Sequence, residues 1–299
     1  KIITSVAYVR RSTMKVFRTV NGKGKINTYV QKDDEIFRGA YDPLNILVTF
    51  RKEGKIVLIE KVSLTLEELL KNEKLITPYD PPEIWGAGIV YERARVRYTE
   101  EDVATIKGES IYEIAYVSER PELFFKDAGG KRSVGHEDFI NIRSDSTWTL
   151  PEPELGIVLD SDGSILGYTV CNDVTARDIE AQNPLYLPQA KIYKGCFSFG
   201  PFVITSDEIP DPHNLTIKMR ILRDGEVVFY GETNTSKMKK RLETIVAYLL
   251  RDNVIPSGTL VSTGTGIIPG KDVQLKDGDR VEIYIEKIGT LVNYVRKLK

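Results

Sequence analysis

The chain has 299 residues, 42 basic and 43 acidic side chains, a net charge of -1, and a composition that is 41% hydrophobic and 28% charged. A chain of this size buries a full core without disulfides, and its near-neutral balance gives no general attraction to a nucleic-acid backbone or an anionic membrane. The longest apolar runs, such as 46–50 and 56–59, fall far short of the ~20 residues that span a bilayer, and two cysteines (Cys171, Cys196) with two histidines (His136, His213) exclude a disulfide framework and most zinc sites. The chain opens without an apolar segment ending in a cleavage site, which predicts a cytoplasmic protein.

In chain order, 44–50 and 55–60 are β-branched runs joined by Arg51-Lys52-Glu53-Gly54, and read as a hairpin. Thr65 before Leu66, with Glu68 three residues on, reads as a capping box opening a short helix. The stretch Thr77-Pro78-Tyr79-Asp80-Pro81-Pro82 interrupts the pattern and reads as a linker. It divides a small N-terminal α+β domain, 1–77, from a larger domain, 78–299. Residues 92–115 read as helical, and from Phe124 onward the chain is predominantly β. Asp162-Gly163 and Asp224-Gly225 mark two hairpins, because that dipeptide accepts the positive φ angles of a tight turn. Met238, Leu242, Ile245, Val246, Leu249 and Leu250 recur at helical spacing and predict an amphipathic helix on the sheet, with Lys237, Lys239, Lys240 and Arg241 on its solvated face. Val281, Ile283 and Ile285 alternate with polar residues as in a half-buried strand. The fold class is α+β, with a mostly antiparallel or mixed β large domain.

Glu152 and Glu154 enter an apolar strand two residues apart and therefore share a face. If Asp162-Gly163 is a two-residue turn, residues whose numbers sum to 325 lie opposite one another, which sets Asp173 opposite Glu152 on that face. Three converging carboxylates with no Lys or Arg nearby in either strand repel one another, and a divalent cation relieves the repulsion; the oxygen set suits Mg²⁺, Mn²⁺ or Ca²⁺. The competing reading is two exposed strand-end glutamates and a loop aspartate, because a one-residue change in the turn breaks the register.

Glu152-Pro153-Glu154, the run from Gly167 through Asp173 to Arg177-Asp178, Lys191, the segment from Phe199-Gly200-Pro201 to Pro212, Asn234-Thr235, Thr263-Gly264-Thr265-Gly266 and Ile288-Gly289-Thr290-Leu291 follow one another in order. Over about residues 81–299 this pattern resembles the fumarylacetoacetate hydrolase superfamily. Trp85-Gly86-Ala87-Gly88-Ile89, the Arg120-Pro121-Glu122 segment, the Trp148–Glu154 segment and Asn183-Pro184-Leu185 are most similar to its members that act on sugar acids. The resemblance implies a mixed β-roll catalytic domain with Mg²⁺ held by Glu152, Glu154 and Asp173. It also implies a small-molecule 2-keto acid as substrate, no nucleic-acid or membrane partner, and a homodimer or homotetramer.

The activity implied is that of a hydro-lyase removing water from a 2-keto-3-deoxy sugar acid, such as a pentonate, to give 2,5-dioxopentanoate. Lys191 resembles the family's active-site lysine; read alone it is a surface lysine near a loop. Glu122 supplies a carboxylate not committed to the metal, as elimination requires; Glu122 or Lys191 is expected to remove the C3 proton and Glu122 to protonate the leaving hydroxyl, whereas read alone Glu122 is an exposed loop glutamate. Gly86 and Gly88 lie in the segment expected against the substrate. Arg177 either orients the carboxylates, grips the substrate or forms a structural ion pair, and Thr265 with the Gly264 and Gly266 amides is placed to bind the substrate carboxylate. Hydrolases and decarboxylases of the superfamily usually carry a His-x-x-Glu pair on a lid helix, where this chain has Ala94 and Arg97. That departure argues for dehydration over the alternatives, an acylpyruvate hydrolase or a 2-keto-acid decarboxylase, with a non-catalytic metal-binding scaffold less favoured still. His136 reads as a loop residue, and Glu180 stands where several hydrolases have Gln.

Overall fold

In the computed structural model, which describes residues 5–8, 14–92, 94, 105–106 and 109–299, the first helix is Pro43–Glu53, where a hairpin was expected. The reason is local. Asp42 accepts a hydrogen bond from Asn45 N–H, Pro43 occupies the first turn, and Gly54 closes the helix at φ 63° with its N–H on Phe50 O. An aspartate cap contributes about 0.5–2 kcal/mol, and with the αL glycine it outweighs the β preference of Ile46, Val48 and Thr49. The helix buries Ile46 and Leu47 in one cluster with Ile56 and Leu58 of the Lys55–Val62 strand. The capping box at Thr65 forms as expected and opens the helix Leu66–Leu70.

Among the described residues the largest sheet has 13 strands. Eleven of them run in the order Ser5–Tyr8, Lys55–Val62, Glu35–Gly39, Ile26–Lys32, Met14–Asn21, Phe197–Thr205, Ile165–Asp173, Pro153–Leu159, Thr259–Thr265, Glu83–Gly88, Glu122–Ala128, while Ser133–Val134 pairs with Phe197–Thr205 and Glu73–Leu75 with Met14–Asn21 off this path. The N-terminal strands therefore continue the ladder of the larger unit, through Val16 opposite Val203 and Lys15 opposite Ile204. Packing crosses the same seam, with the Phe17 and Phe202 rings edge to face at 5.4 Å. Arg18 straps the Pro-rich stretch, donating to Thr77 O at 2.9 Å and to both Asp80 oxygens at 2.7 Å.

A second sheet of five strands, in the order Phe139–Ile142, Gly289–Lys297, Arg280–Ile285, Thr216–Arg223, Glu226–Asn234, covers the first. Its inner face, including Ile217, Met219, Ile283 and Leu291, shares a core with Leu155, Ile157 and Leu159 of the main sheet and with Leu242, Ile245 and Leu249 of the helix Leu242–Leu250. The Asp224-Gly225 turn is a two-residue hairpin, with Arg223 opposite Glu226 and φ of 52° and 86° at the turn residues. Lys240 departs from expectation: it is buried, and its Nζ donates to Ala115 O, Tyr116 O and Ser118 O at 2.9–3.0 Å. Those carbonyls cap the helix Ile111–Val117, so a solvated face gives way to a cation saturating a helix C-terminus. Of the helix expected over 92–115, Glu92 and Ala94 are helical and the helix Ile111–Val117 covers the end, preceded by the paired strands Thr105–Ile106 and Glu109–Ser110; most of the stretch lies outside the described residues. Among the described residues no helix is long and apolar enough to cross a membrane.

Candidate active site

Pro153–Leu159 and Ile165–Asp173 pair antiparallel in the middle of the main sheet, with Pro153 opposite Asn172 and Glu154 opposite Cys171. Asp173 N–H donates to Glu152 O at 3.0 Å, so the register that aligns these residues holds at the open end of the hairpin. It holds through two departures that cancel. Asp160 N–H bonds Ser164 O, so the turn is one residue longer than a two-residue loop, and a shift between Val158 and Leu159 restores the pairing. Glu152, Glu154 and Asp173 are all buried, and each offers an oxygen within 4.8 Å of the others.

Two lysines enter from other elements. Lys191, at the end of the helix Leu187–Lys191, donates to Glu152 Oε2 and Asp173 Oδ2 at 2.8 Å each and to Thr175 Oγ1 at 2.7 Å, which uses all three ammonium protons. Burial pulls its pKa down, but the carboxylates of Asp173 and Glu152 outweigh burial and hold it well above the ordinary lysine value. Lys126, wholly buried, lies 2.5 Å from Asp173 Oδ1 and donates to Val174 O at 3.1 Å. Burial by itself raises the Asp173 pKa; the two lysines reverse that and hold it below the usual aspartate range. Glu154 is held by neutral donors, Ser262 Oγ at 2.6 Å and Gly264 N–H at 2.8 Å. Burial, then repulsion from Asp173 and Glu152, drives its pKa well above the usual glutamate value. Burial also raises Glu152, with Lys191 opposing. A cluster of hard oxygens whose least compensated member resists ionisation fits a divalent cation such as Mg²⁺, Mn²⁺ or Ca²⁺.

The cluster opens into a narrow cavity with about 330 Å³ of space between atoms, lined also by Ala87, Gly88, Ile89, Ala94, Glu122, Phe124, Glu180, Lys191 and Thr265. Glu122 pairs with Gly88 across adjacent strands. Its pKa is pushed up to about 7, first by burial, then by the charge of Glu180, with Lys191 opposing. A methyl group on Gly88 would lie 2.0 Å from Glu122 Oε2, and one on Gly86 would lie 2.3 Å from the Phe124 ring, so each glycine makes room for a side chain of the neighbouring strand.

Residues 113–296 match the family model described as fumarylacetoacetate (FAA) hydrolase, C-terminal. The chain belongs to the fumarylacetoacetate hydrolase family. Within this family it is 52% identical, over 95% of its length and 97% of the relative's, to 2-dehydro-3-deoxy-D-arabinonate dehydratase of Saccharolobus solfataricus. It is 47% identical, over 73% of each chain, to a probable 2-keto-3-deoxyxylonate dehydratase of Haloferax volcanii. A solved structure of 2-keto-3-deoxy-D-arabinonate dehydratase complexed with magnesium and 2,5-dioxopentanoate superimposes with a TM-score of 0.88 at 48% identity, covering 96% of this chain and all of that one.

Against this family frame, the cavity brings together Glu122, Glu152, Glu154, Asp173, Lys191, Gly88 and Thr265, and leaves Gly86 and Arg177 outside its lining. The Thr265 hydroxyl is within hydrogen-bond reach of Pro153 O and Ile267 O at 3.0 and 3.1 Å, and Gly264 N–H is taken by Glu154. Arg177 is wholly buried and pairs with Glu180, its Nη1 lying 3.1 Å from Oε2. His136 is remote from the cavity; its Nδ1 accepts Val292 N–H at 3.2 Å. Ala94 lines the cavity, and Arg97 lies outside the described residues. Sequence reasoning gave Lys126 no role, although strand alternation from Glu122 through Phe124 sets it on the face turned to the site. It also left Glu180 without a role, and Glu180 lines the cavity.

Proposed function

We propose that this protein is a Mg²⁺-dependent hydro-lyase that removes water from a 2-keto-3-deoxy pentonate to give 2,5-dioxopentanoate. The observation that carries the reading is the pairing of a buried, cation-ready carboxylate triad with a separate cavity carboxylic acid, Glu122, whose pKa of about 7 leaves it able to give up a proton near neutrality. The family relationship over nearly the whole chain to named dehydratases of such acids supports it.

Glu152, Glu154 and Asp173 would hold the ion, which when bound supplies Lewis acidity at the keto group and so acidifies the adjacent C3 hydrogens. Lys191 has its three protons engaged by Glu152, Asp173 and Thr175, so it acts as a fixed positive charge and not as the base. Glu122 takes the C3 proton and delivers a proton to the C4 hydroxyl, so that the C3–H electron pair becomes the C3–C4 double bond as the C4–O bond breaks and water leaves. Gly88 gives Glu122 its place, and Thr265 lines the same cavity. Dehydration consumes no water, so Ala94 in place of a water-activating histidine is harmless to it and unfavourable to hydrolysis.

All the carboxylates of the cavity lie after residue 77, which supports reading 78–299 as the catalytic domain and 1–77 as an accessory α+β domain. We also infer a cytoplasmic homodimer or homotetramer. Tyr230, Tyr284, Tyr294 and Phe139 are exposed on the second sheet, and both cysteines are free and buried; light scattering giving a monomer at every concentration would contradict the assembly. The function is tested by incubating the protein and Mg²⁺ with 2-keto-3-deoxy pentonates and with acylpyruvates. Dehydration of a pentonate is expected, and cleavage of acylpyruvates alone would overturn the reading.

A further inference from the structure

Away from the active site, a cleft with about 960 Å³ of space between atoms lies on the seam between the N-terminal strands and the larger unit. That size accommodates a small molecule. Its lining joins apolar residues, among them Val20 and Leu75, to polar groups that the fold holds from behind. Glu73, on the strand Glu73–Leu75, accepts from Asn27 Nδ2 at 3.1 Å, from the Tyr29 hydroxyl at 3.3 Å and from the Thr19 hydroxyl. A carboxylate has about four acceptor sites, so these neutral donors fix it and leave one for a ligand. Across the seam, His136 Nδ1 accepts the Val292 N–H at 3.2 Å, which puts the ring proton on Nε2. Burial pulls the His136 pKa below the ordinary histidine value and keeps the ring neutral. Its loop is fixed as well: Glu137 N–H donates to Val292 O at 2.7 Å, and Asn293 Nδ2 donates to Gly135 O and Asp138 O at 2.9 and 3.2 Å. Glu137 is left-handed at φ 60°, a strained conformation for a non-glycine residue and one that clusters at binding sites.

The charges of the lining select the ligand. Lys74 is engaged by Asp138 at 3.0 Å, whereas Lys71 is exposed and has no carboxylate partner among the described residues. Glu73 and Glu137 set two negative charges in the same cleft, so a dianion such as phosphate is repelled while a single carboxylate can pair with Lys71. The Glu73 carboxylate and the His136 Nε2–H form an acceptor and a donor, which suits hydroxyl groups because they both give and take hydrogen bonds. We propose that this cleft is a second, non-catalytic site that binds a polyhydroxy monocarboxylate, its carboxylate on Lys71 and its hydroxyls on Glu73 and His136. A ligand held there ties the N-terminal strands to the loop 135–138 of the larger unit. None of these residues lines the active-site cavity, so the site stands whether or not the chain is a dehydratase.

The test is titration calorimetry of the full chain, with Mg²⁺ present, using gluconate, which lacks the 2-keto group of the proposed substrate. At the ligand efficiency usual for small molecules the wild type should bind it with a Kd of about 1 mM. Gly22 also lines the cleft and a Cβ built on it meets nothing within 4 Å, so Gly22→Trp fills the space without disturbing the fold. Lys71→Glu reverses the exposed charge. Each variant should melt as the wild type does and bind gluconate at least about tenfold more weakly; if one fails to fold, the other decides. Acetate, which has no hydroxyls, and inorganic phosphate should bind the wild type at least about tenfold more weakly than gluconate does. Hydrogen exchange with gluconate bound should slow the amides of 71–75 and 135–138 together. The proposal is overturned by a wild type that shows no binding at about ten times the expected Kd, or by a folded variant that keeps wild-type affinity. It is equally overturned if acetate or phosphate binds as tightly as gluconate, or if the protected amides lie away from the seam.

Discussion

Replacing Gly88 with alanine tests whether Glu122 acts from the place the opposing strand gives it. Gly88 is not among the glycines with positive φ, so alanine suits its backbone. The added Cβ would stand 2.0 Å from Glu122 Oε2 and 2.6 Å from its Cδ, where an ordinary C···O contact is about 3.3–3.6 Å, so the carboxyl must retreat by more than about 1 Å. The group that yields is the end of a flexible side chain, and the fold is expected to lose little. A misplacement of that size costs about 10²-fold in rate, or about 2.7 kcal/mol in the barrier. The assay is steady-state dehydration, with isothermal titration of Mg²⁺ as the control that the triad is intact. Because Gly88→Ala acts through Glu122, it should add almost nothing in a Glu122→Gln background. A single variant with kcat within threefold of wild type, or a double variant showing the full product of both losses, would refute the reasoning.

Glu154→Gln should weaken Mg²⁺ binding at least about 100-fold and abolish the thermal stabilisation the ion confers, while the fold persists; unchanged affinity by titration would remove Glu154 from the metal site. Lys126→Met takes a positive charge from beside Asp173, so the metal-free protein should melt lower and gain more on adding Mg²⁺ than the wild type. Equal gains in a thermal-shift assay would count against that electrostatic account. In the metal-free protein, Glu122 has a folded pKa of about 7 against an ordinary 4.5. The folded state therefore binds more protons between those values, and this contribution to stability is full below about pH 4.5 and lost as pH rises through about 7. Glu122→Gln should flatten the fall in melting temperature between pH 5 and 8, and an identical slope in both proteins would contradict the assignment.

Much of the site was legible because it lies on a hairpin, where alternation and register turn sequence spacing into geometry. Glu152, Glu154 and Asp173 met as the spacing indicated, although the turn itself was misread and a compensating bulge rescued the register. The lysines were less legible, since neither lies in the hairpin: Lys191 comes from a five-residue helix and Lys126 from a strand across the site. Pairing between distant strands is set by the whole sheet, which no local pattern encodes. Arg177 was placed among the candidates, but its buried pairing with Tyr112, 65 residues away, is a tertiary contact without a local signal. Near the N-terminus β-branched composition misled, because the Asp42-Pro43 start and the Gly54 stop carry more weight than the residues between them. Lys240 shows the same limit: helical spacing separates polar from apolar faces, but it does not reveal that a lysine stem crosses to a neighbouring helix end.

The central claim, that this chain eliminates water from a 2-keto-3-deoxy pentonate, is tested most directly by following the purified protein with Mg²⁺ and that acid by NMR. The account predicts loss of the C4 hydroxyl-bearing carbon signal and stoichiometric appearance of 2,5-dioxopentanoate, dependent on the ion and absent in Glu122→Gln. Recovery of the pentonate unchanged, together with efficient cleavage of an acylpyruvate by the same preparation, would contradict it.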